Sequence, residues 1–165
     1  MNKRIAIAGL ALILAFANWT IFQKEQHLEN GETVYLKLAP VDPRSLMQGD
    51  YMALRYVAST QISQALAKFG RSKHDFAIFD IDVNGLASFN RLDDEVSLSA
   101  NQQRIAYGIE AGQLRFASDA FFFQEGSAQV YEAAEYGVFS LSDNGQLVLI
   151  DLADDNFVAL SKDSK

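Results

Sequence analysis

The sequence predicts an α+β fold, predominantly antiparallel β with two short helices, preceded by one N-terminal transmembrane helix. Three observations carry this. An apolar run, Ile5–Phe22, follows the short basic head Asn2-Lys3-Arg4. Short runs of alternating or aliphatic character recur through the rest of the chain. Glycine-containing turns join those runs in pairs at Asn84-Gly85, Ala111-Gly112 and Asp143-Asn144-Gly145.

The first element is the apolar run. It is broken only by Gly9, Asn18 and Thr20. Its length is close to the roughly 20 residues a helix needs to cross a bilayer. Lys3 and Arg4 would stay cytoplasmic and send the rest of the chain outward. Trp19 would then lie near the far interface, where an indole is favoured. A cleaved signal peptide is the competing reading, with Ile5–Leu14 as its core and Ala15-Phe16-Ala17 as a small-x-small site. The run continues past Ala17 through Trp19, Ile21 and Phe22, which favours an anchor. Gln23–Glu29 extends it in helix-compatible residues, ending near Gly31. Both readings put the remainder outside the cytoplasm and the anchored form in the inner membrane. The chain has no cysteine, which excludes a disulfide framework and lipidation at cysteine.

Behind the anchor the elements follow in order. Thr33–Leu38 places Val34, Leu36 and Leu38 on one side of a strand. Tyr51–Val57 is a second strand, rich in aromatic and aliphatic residues. Gln61–Phe69 is a helix opened by Ser59 or Thr60 and closed by Gly70. Asp75–Val83 and Leu86–Leu92 form a hairpin across Asn84-Gly85, a pair that adopts positive φ at little cost. Arg104–Glu110 and Gln113–Phe116 form another. A second helix runs from Glu125 or Gly126 to Glu135. Val138–Leu141 and Leu147–Leu152 complete the set. Partial closure into a barrel would remove the exposed edges that so many strands create.

Residues 1–30 thus form the head, anchor and extension, 31–160 one β-rich domain, and 161–165 a flexible tail. The chain carries 14 basic and 21 acidic residues. Lys3 and Arg4 belong to the head, and no acid precedes Gln23, so the remainder has a formal charge of −9. Such a domain is a poor partner for nucleic acid or an anionic lipid surface.

The most constrained stretch is Ala39–Tyr56. Pro40 and Pro43 restrict its backbone before any tertiary contact forms. Asp42, Arg44, Asp50 and Arg55 supply four charges there. Asp42-Pro43-Arg44 suits a turn, and Asp50 suits the entrance to the following strand. Arg44 or Arg55 could fork onto Asp50 or Glu125. In that strand Tyr51, Ala53 and Arg55 share one face, and Met52, Leu54 and Tyr56 share the other, which faces the core. The densest aromatic region holds Phe116, Phe121, Phe122, Phe123, Tyr131 and Tyr136. Phe121 and Phe123 point together and Phe122 points opposite, so one face is core and the other is covered or a recognition patch.

Gly49-Asp50-Tyr51-Met52-Ala53-Leu54-Arg55-Tyr56 resembles the signature of the GDYXXLXY family of bacterial proteins at every fixed position. The preceding Pro-Val-Asp-Pro-Arg-Ser-Leu run is similar too. So are Phe121-Phe122-Phe123-Gln124-Glu125-Gly126 and the later Tyr131, Ala134, Tyr136 and Gly137. The similarity covers about Lys24 to Leu152. It implies a small envelope protein with one N-terminal membrane segment, whose genes often neighbour those of multi-pass membrane proteins, and by that association alone a multi-pass membrane protein is the expected partner. It implies no activity that can be assigned to a residue.

Candidate chemistry is sparse. Ser45 precedes Gly49-Asp50 somewhat as the serine does in membrane-anchored signal peptidases, so a hydrolase or peptidase using Ser45 is the alternative function. A serine–lysine pair needs a desolvated lysine within reach, and Lys68 and Lys73 sit in a polar stretch. Asp80–Gly85 resembles the front of a calcium loop, but its twelfth position is Arg91, where a bidentate acid is required. His27 and His74 have no ligand-spaced companion. The acids of Asp93–Glu95 and Asp151–Asp155 read as solvated loop charges. No cofactor is expected. The leading expectation is a non-catalytic, membrane-anchored accessory or interaction protein of the bacterial envelope.

Overall fold

The computed structural model describes residues 31–40, 47–48, 51–71, 75–110, 113–115 and 117–163, together with 10, 12–14, 16 and 18. Two compact units divide the chain, Met1–Gly31 and Glu32–Lys165. In the first, the described residues are helical, and Leu10, Leu12, Ile13, Leu14 and Phe16 are all exposed. Among the described residues no helix is long and apolar enough to cross a membrane. Most of the run Ile5–Phe22, with Lys3, Arg4 and Trp19, lies outside them.

The second unit is mostly antiparallel β. Its strands are β1 (Glu32–Lys37), β2 (Met47–Gln48), β3 (Tyr51–Ala53), β4 (Phe76–Ile81), β5 (Ala87–Leu92), β6 (Gln102–Ala106), β7 (Gly108–Glu110), β8 (Gln113–Arg115), β9 (Ala120–Phe122), β10 (Tyr136–Leu141) and β11 (Leu147–Ala153). They form three-stranded sheets in the orders β1-β10-β11, β2-β3-β9 and β5-β4-β6, with β7-β8 as a separate hairpin. Every pairing within these sheets is antiparallel. The described strands do not close into a barrel. The sheets meet through turns and single backbone bonds, so among the described residues no continuous ladder runs around the domain.

Those joints come from the hairpin glycines. Tyr35 N–H donates to Gly85 O at 2.9 Å, and Tyr35 bridges Leu86 in parallel. Ala106 N–H donates to Gly145 O at 2.8 Å. Each turn therefore docks onto a neighbouring sheet as well as reversing its own chain. Within the β5-β4-β6 sheet, Asp80 accepts from Asn90 at 2.6 Å and from Gln102 at 2.9 Å. These bonds, Asn90's first, hold its carboxyl below the ordinary aspartate range.

The core gathers Val34 and Leu36 from β1, Phe139 from β10, Leu152 from β11, Phe79 from β4 and Ile105 from β6, all fully buried. Helix α1 (Val57–Phe69) adds Ala58 and Ile62 at i, i+4 spacing, with Leu66 packed beside them. The helix starts four residues before the predicted Gln61. Ser59 and Thr60 lie inside its first turn, and Tyr56 is the N-cap, with no side-chain cap bond. The buried Tyr56 ring fixes the chain direction there, so tertiary packing outweighs capping preference. The second strand ends at Ala53 instead of Val57 for the same reason. Gly70, at φ +80°, closes α1 with its N–H on Leu66 O at 2.9 Å.

The second predicted helix shrinks to one turn, α2 (Ala128–Tyr131). Gly126 at φ +86° blocks an earlier start. Glu135 is drawn into the first sheet, accepting from Leu38 N–H and donating to Ala153 O, so the helix cannot continue. A 3-10 helix, Leu160–Asp163, carries the fold past the predicted boundary at residue 160. Leu160 is buried, and Ser161 donates to Asp151 at 2.5 Å. Asp151 is itself buried, contrary to its reading as a solvated charge. Asp93 departs likewise, its side chain 5% exposed and bonded to Arg104 at 3.0 Å.

Gly145 tests the turn-docking account. It has φ +80°, and an added Cβ would lie 2.7 Å from Arg104 O and 3.0 Å from the Phe76 ring. Gly145→Ala is expected to cost at least about 2 kcal/mol through left-handed strain and displacement of the neighbouring sheet. Denaturant unfolding followed by circular dichroism measures this. Unchanged stability would show that the turn does not hold the sheets together.

Candidate functional site

The signature residues cluster on and around β3. Gln48 and Tyr51 are register partners, and Met47 pairs with Met52, so the chain reverses between β2 and β3. This hairpin was not anticipated from sequence, although a Gly-Asp pair between strand-forming residues is its usual signal. Gly49 and Asp50 lie outside the described residues, as do Asp42, Arg44 and Ser45. The ion pairs and turn bonds expected of them, and the serine-centred chemistry, therefore have no described geometry. His27, His74, Lys73 and Phe116 are in the same position.

The described part of the signature divides inward from outward. Met52, Leu54 and Tyr56 are buried, at 5%, 5% and 2% exposure. Arg55 is exposed, and Tyr51 and Ala53 are half-buried. The next strand over, β9, divides in register with it, pairing Tyr51 with Phe122 and Met52 with Phe121. Phe121 meets the Tyr131 ring edge-on at 5.0 Å, and Phe123 stacks on it at 5.3 Å. Phe122 points the other way, is 75% exposed, and lies 5.8 Å from the Tyr51 ring. The aromatic run thus supplies both core and surface.

Tyr56 is the best-anchored residue of the signature. Its hydroxyl donates to Ser118 O at 2.7 Å, and its ring meets Phe139 edge-on at 5.7 Å. Its backbone bridges Leu38, while Ala39 N–H donates to Arg55 O at 2.8 Å. Burial, with a smaller contribution from the charge of Asp119, pushes its phenol well above the usual tyrosine range. Gly137 lies beneath it. A Cβ there would stand 3.3 Å from the Tyr56 ring and 2.7 Å from that of Phe139.

Beside this strand end is a cleft of about 370 Å³. Its lining includes Pro40, Leu54, Arg55, Thr60, Arg115 and Asp119. Arg115 pairs with Asp119 and reaches Glu110 at 3.5 Å. Arg55 forms no ion pair with Glu125, and both side chains are exposed. Gly126 beside it has open space around its Cα. At Asp80–Gly85, Asp82 accepts from the N–H groups of Asn84 and Leu86 at 2.8 and 2.9 Å, binding its own hairpin turn. Among the described residues no three histidine, aspartate or glutamate side chains gather in a metal-binding group.

A family model described as GDYXXLXY protein matches residues 13–152. The chain belongs to this family. No curated protein and no solved structure matches it.

Removing the Tyr56 hydroxyl gives a two-part test. Tyr56→Phe is expected to cost about 1 kcal/mol near neutral pH by leaving Ser118 O without its donor. The raised phenol stays protonated in the folded state, whereas an unfolded tyrosine ionises above about pH 10. Its contribution is complete below that pH and falls as pH rises, by about 1.4 kcal/mol per pH unit. Stability measured from pH 9 to 11 should therefore fall more steeply for the parent than for Tyr56→Phe. Parallel profiles would contradict the buried hydrogen bond.

Proposed function

We propose that this member of the GDYXXLXY family is a non-catalytic, membrane-anchored accessory protein of the bacterial envelope. Its domain faces away from the cytoplasm and docks onto a multi-pass membrane protein. The observation that carries the docking role is Phe122. Phe122 is three-quarters exposed and lies against the half-buried Tyr51 ring, so an aromatic pair in register with the family signature faces outward. Exposed aromatic residues of this kind anchor protein interfaces.

Anchoring has separate support. Lys3 and Arg4 precede the apolar run, and its described side chains, Leu10, Leu12, Ile13, Leu14 and Phe16, are uncovered. Asn18, a polar residue within that run, donates its amide to Leu14 O at 2.8 Å. A helix that satisfies its own polar groups suits hydrocarbon surroundings. The negative charge of the rest of the chain fits a domain held near the bilayer without lying on it.

Crosslinking in native membranes, followed by mass spectrometry of the alkali-resistant fraction, tests the reading. The parent should remain in that fraction and give one reproducible multi-pass partner. Phe122→Ser should lose that crosslink while its stability stays within about 0.5 kcal/mol of the parent. An alkali-soluble parent, no reproducible partner, or an undiminished crosslink in Phe122→Ser would contradict it.

A further inference from the structure

We propose that the cleft beside the signature strand binds a small molecule bearing an oxyanion group, a carboxylate or a phosphate, gripped by Arg55 and Arg115. This goes beyond the docking role and does not rest on it, since the cleft and the Phe122 surface use different residues. The cleft volume of about 370 Å³ lies at the small end of the range for small-molecule sites, roughly 300–1,000 Å³.

Charge sets the ligand class. Two guanidiniums and one carboxylate line the cleft, and Glu110 against Arg115 balances the set, so Arg55 is the guanidinium left over for a ligand. Arg55 has no ion-pair partner among the described residues, although acids outnumber bases in the chain. Arg115 is held by Asp119 and Glu110, whose side chains are 70% and 76% exposed. Pairs this exposed are weak, so a ligand oxyanion can displace them. A guanidinium presents forked donors that match both oxygens of a carboxylate or two of a phosphate. Ser59 and Thr60, on the first turn of α1, add hydroxyl donors to the lining. Pro40 and Leu54 supply an apolar surface for a short carbon skeleton.

Calorimetric titration of the full chain in neutral detergent at low ionic strength tests the site, with sodium phosphate and sodium succinate as separate titrants. At least one should bind saturably, and which one does identifies the ligand as phosphorylated or carboxylic. Arg55→Gln should weaken that binding at least about tenfold, and Arg55→Lys less, because it keeps the charge and loses the fork. Asp119→Asn should tighten it roughly fivefold by freeing Arg115 from a competing carboxylate. Thermal melts alongside verify that each variant folds. Saturation by neither anion up to about 10 mM, an affinity unchanged in Arg55→Gln, or binding not strengthened in Asp119→Asn would overturn the proposal.

Discussion

Tyr56 is the constraint on which the rest of the domain depends. One buried ring touches Phe139 of the first sheet, one hydroxyl reaches Ser118 just before β9 of the second, and one backbone position starts α1. The aromatic ring supplies area to bury, and the hydroxyl supplies direction, because a buried phenol must find an acceptor. Gly137 makes the arrangement possible by carrying no side chain where Tyr56 and Phe139 converge. A signature tyrosine and a glycine 81 positions later in the same sequence therefore answer one packing requirement.

The same economy governs the turns and the acids. A hairpin glycine that only reversed the chain would need positive φ alone. Gly145 also accepts a bond from Ala106 and sits against the Arg104 carbonyl, so it is both turn and joint. Many of the acids are likewise occupied inside the fold. Asp82 and Asp154 close turns through backbone N–H groups, Asp93 holds Arg104, and Asp151 holds Ser161. Surface charge in this domain is therefore lower in structural freedom than its composition suggests. That makes the lightly engaged Arg55 stand out.

Much of this was legible in the sequence, and the failures have physical causes. The period-two pattern identified β1, and the Asn-Gly turns identified the β4–β5 and β10–β11 hairpins, because both signals are local. The two faces of the signature strand were legible for the same reason, with Met52, Leu54 and Tyr56 inward and Arg55 outward. Helix starts and lengths were not. α1 begins at Val57 because of where Tyr56 is buried, and α2 stops at Tyr131 because Glu135 pairs with another sheet. Neither fact is visible in a short window. The pairing of β3 with β9 and the resulting exposure of Phe122 beside Tyr51 are non-local too, which is why the aromatic run could be read as core or as surface.

Tyr56 joins the first sheet to the second directly and starts α1, which packs on β5 of the third, so the domain should open as one cooperative unit. Native-state hydrogen exchange measures this at three amides that bond across element boundaries. Leu54 N–H bonds to Asp119 O, Tyr35 N–H to Gly85 O, and Ala106 N–H to Gly145 O. In the parent all three should exchange through one global opening, and Tyr56→Ala should lower their protection together. A Leu54 amide that opens far more easily than the other two, with Tyr35 and Ala106 unaffected by Tyr56→Ala, would contradict the claim.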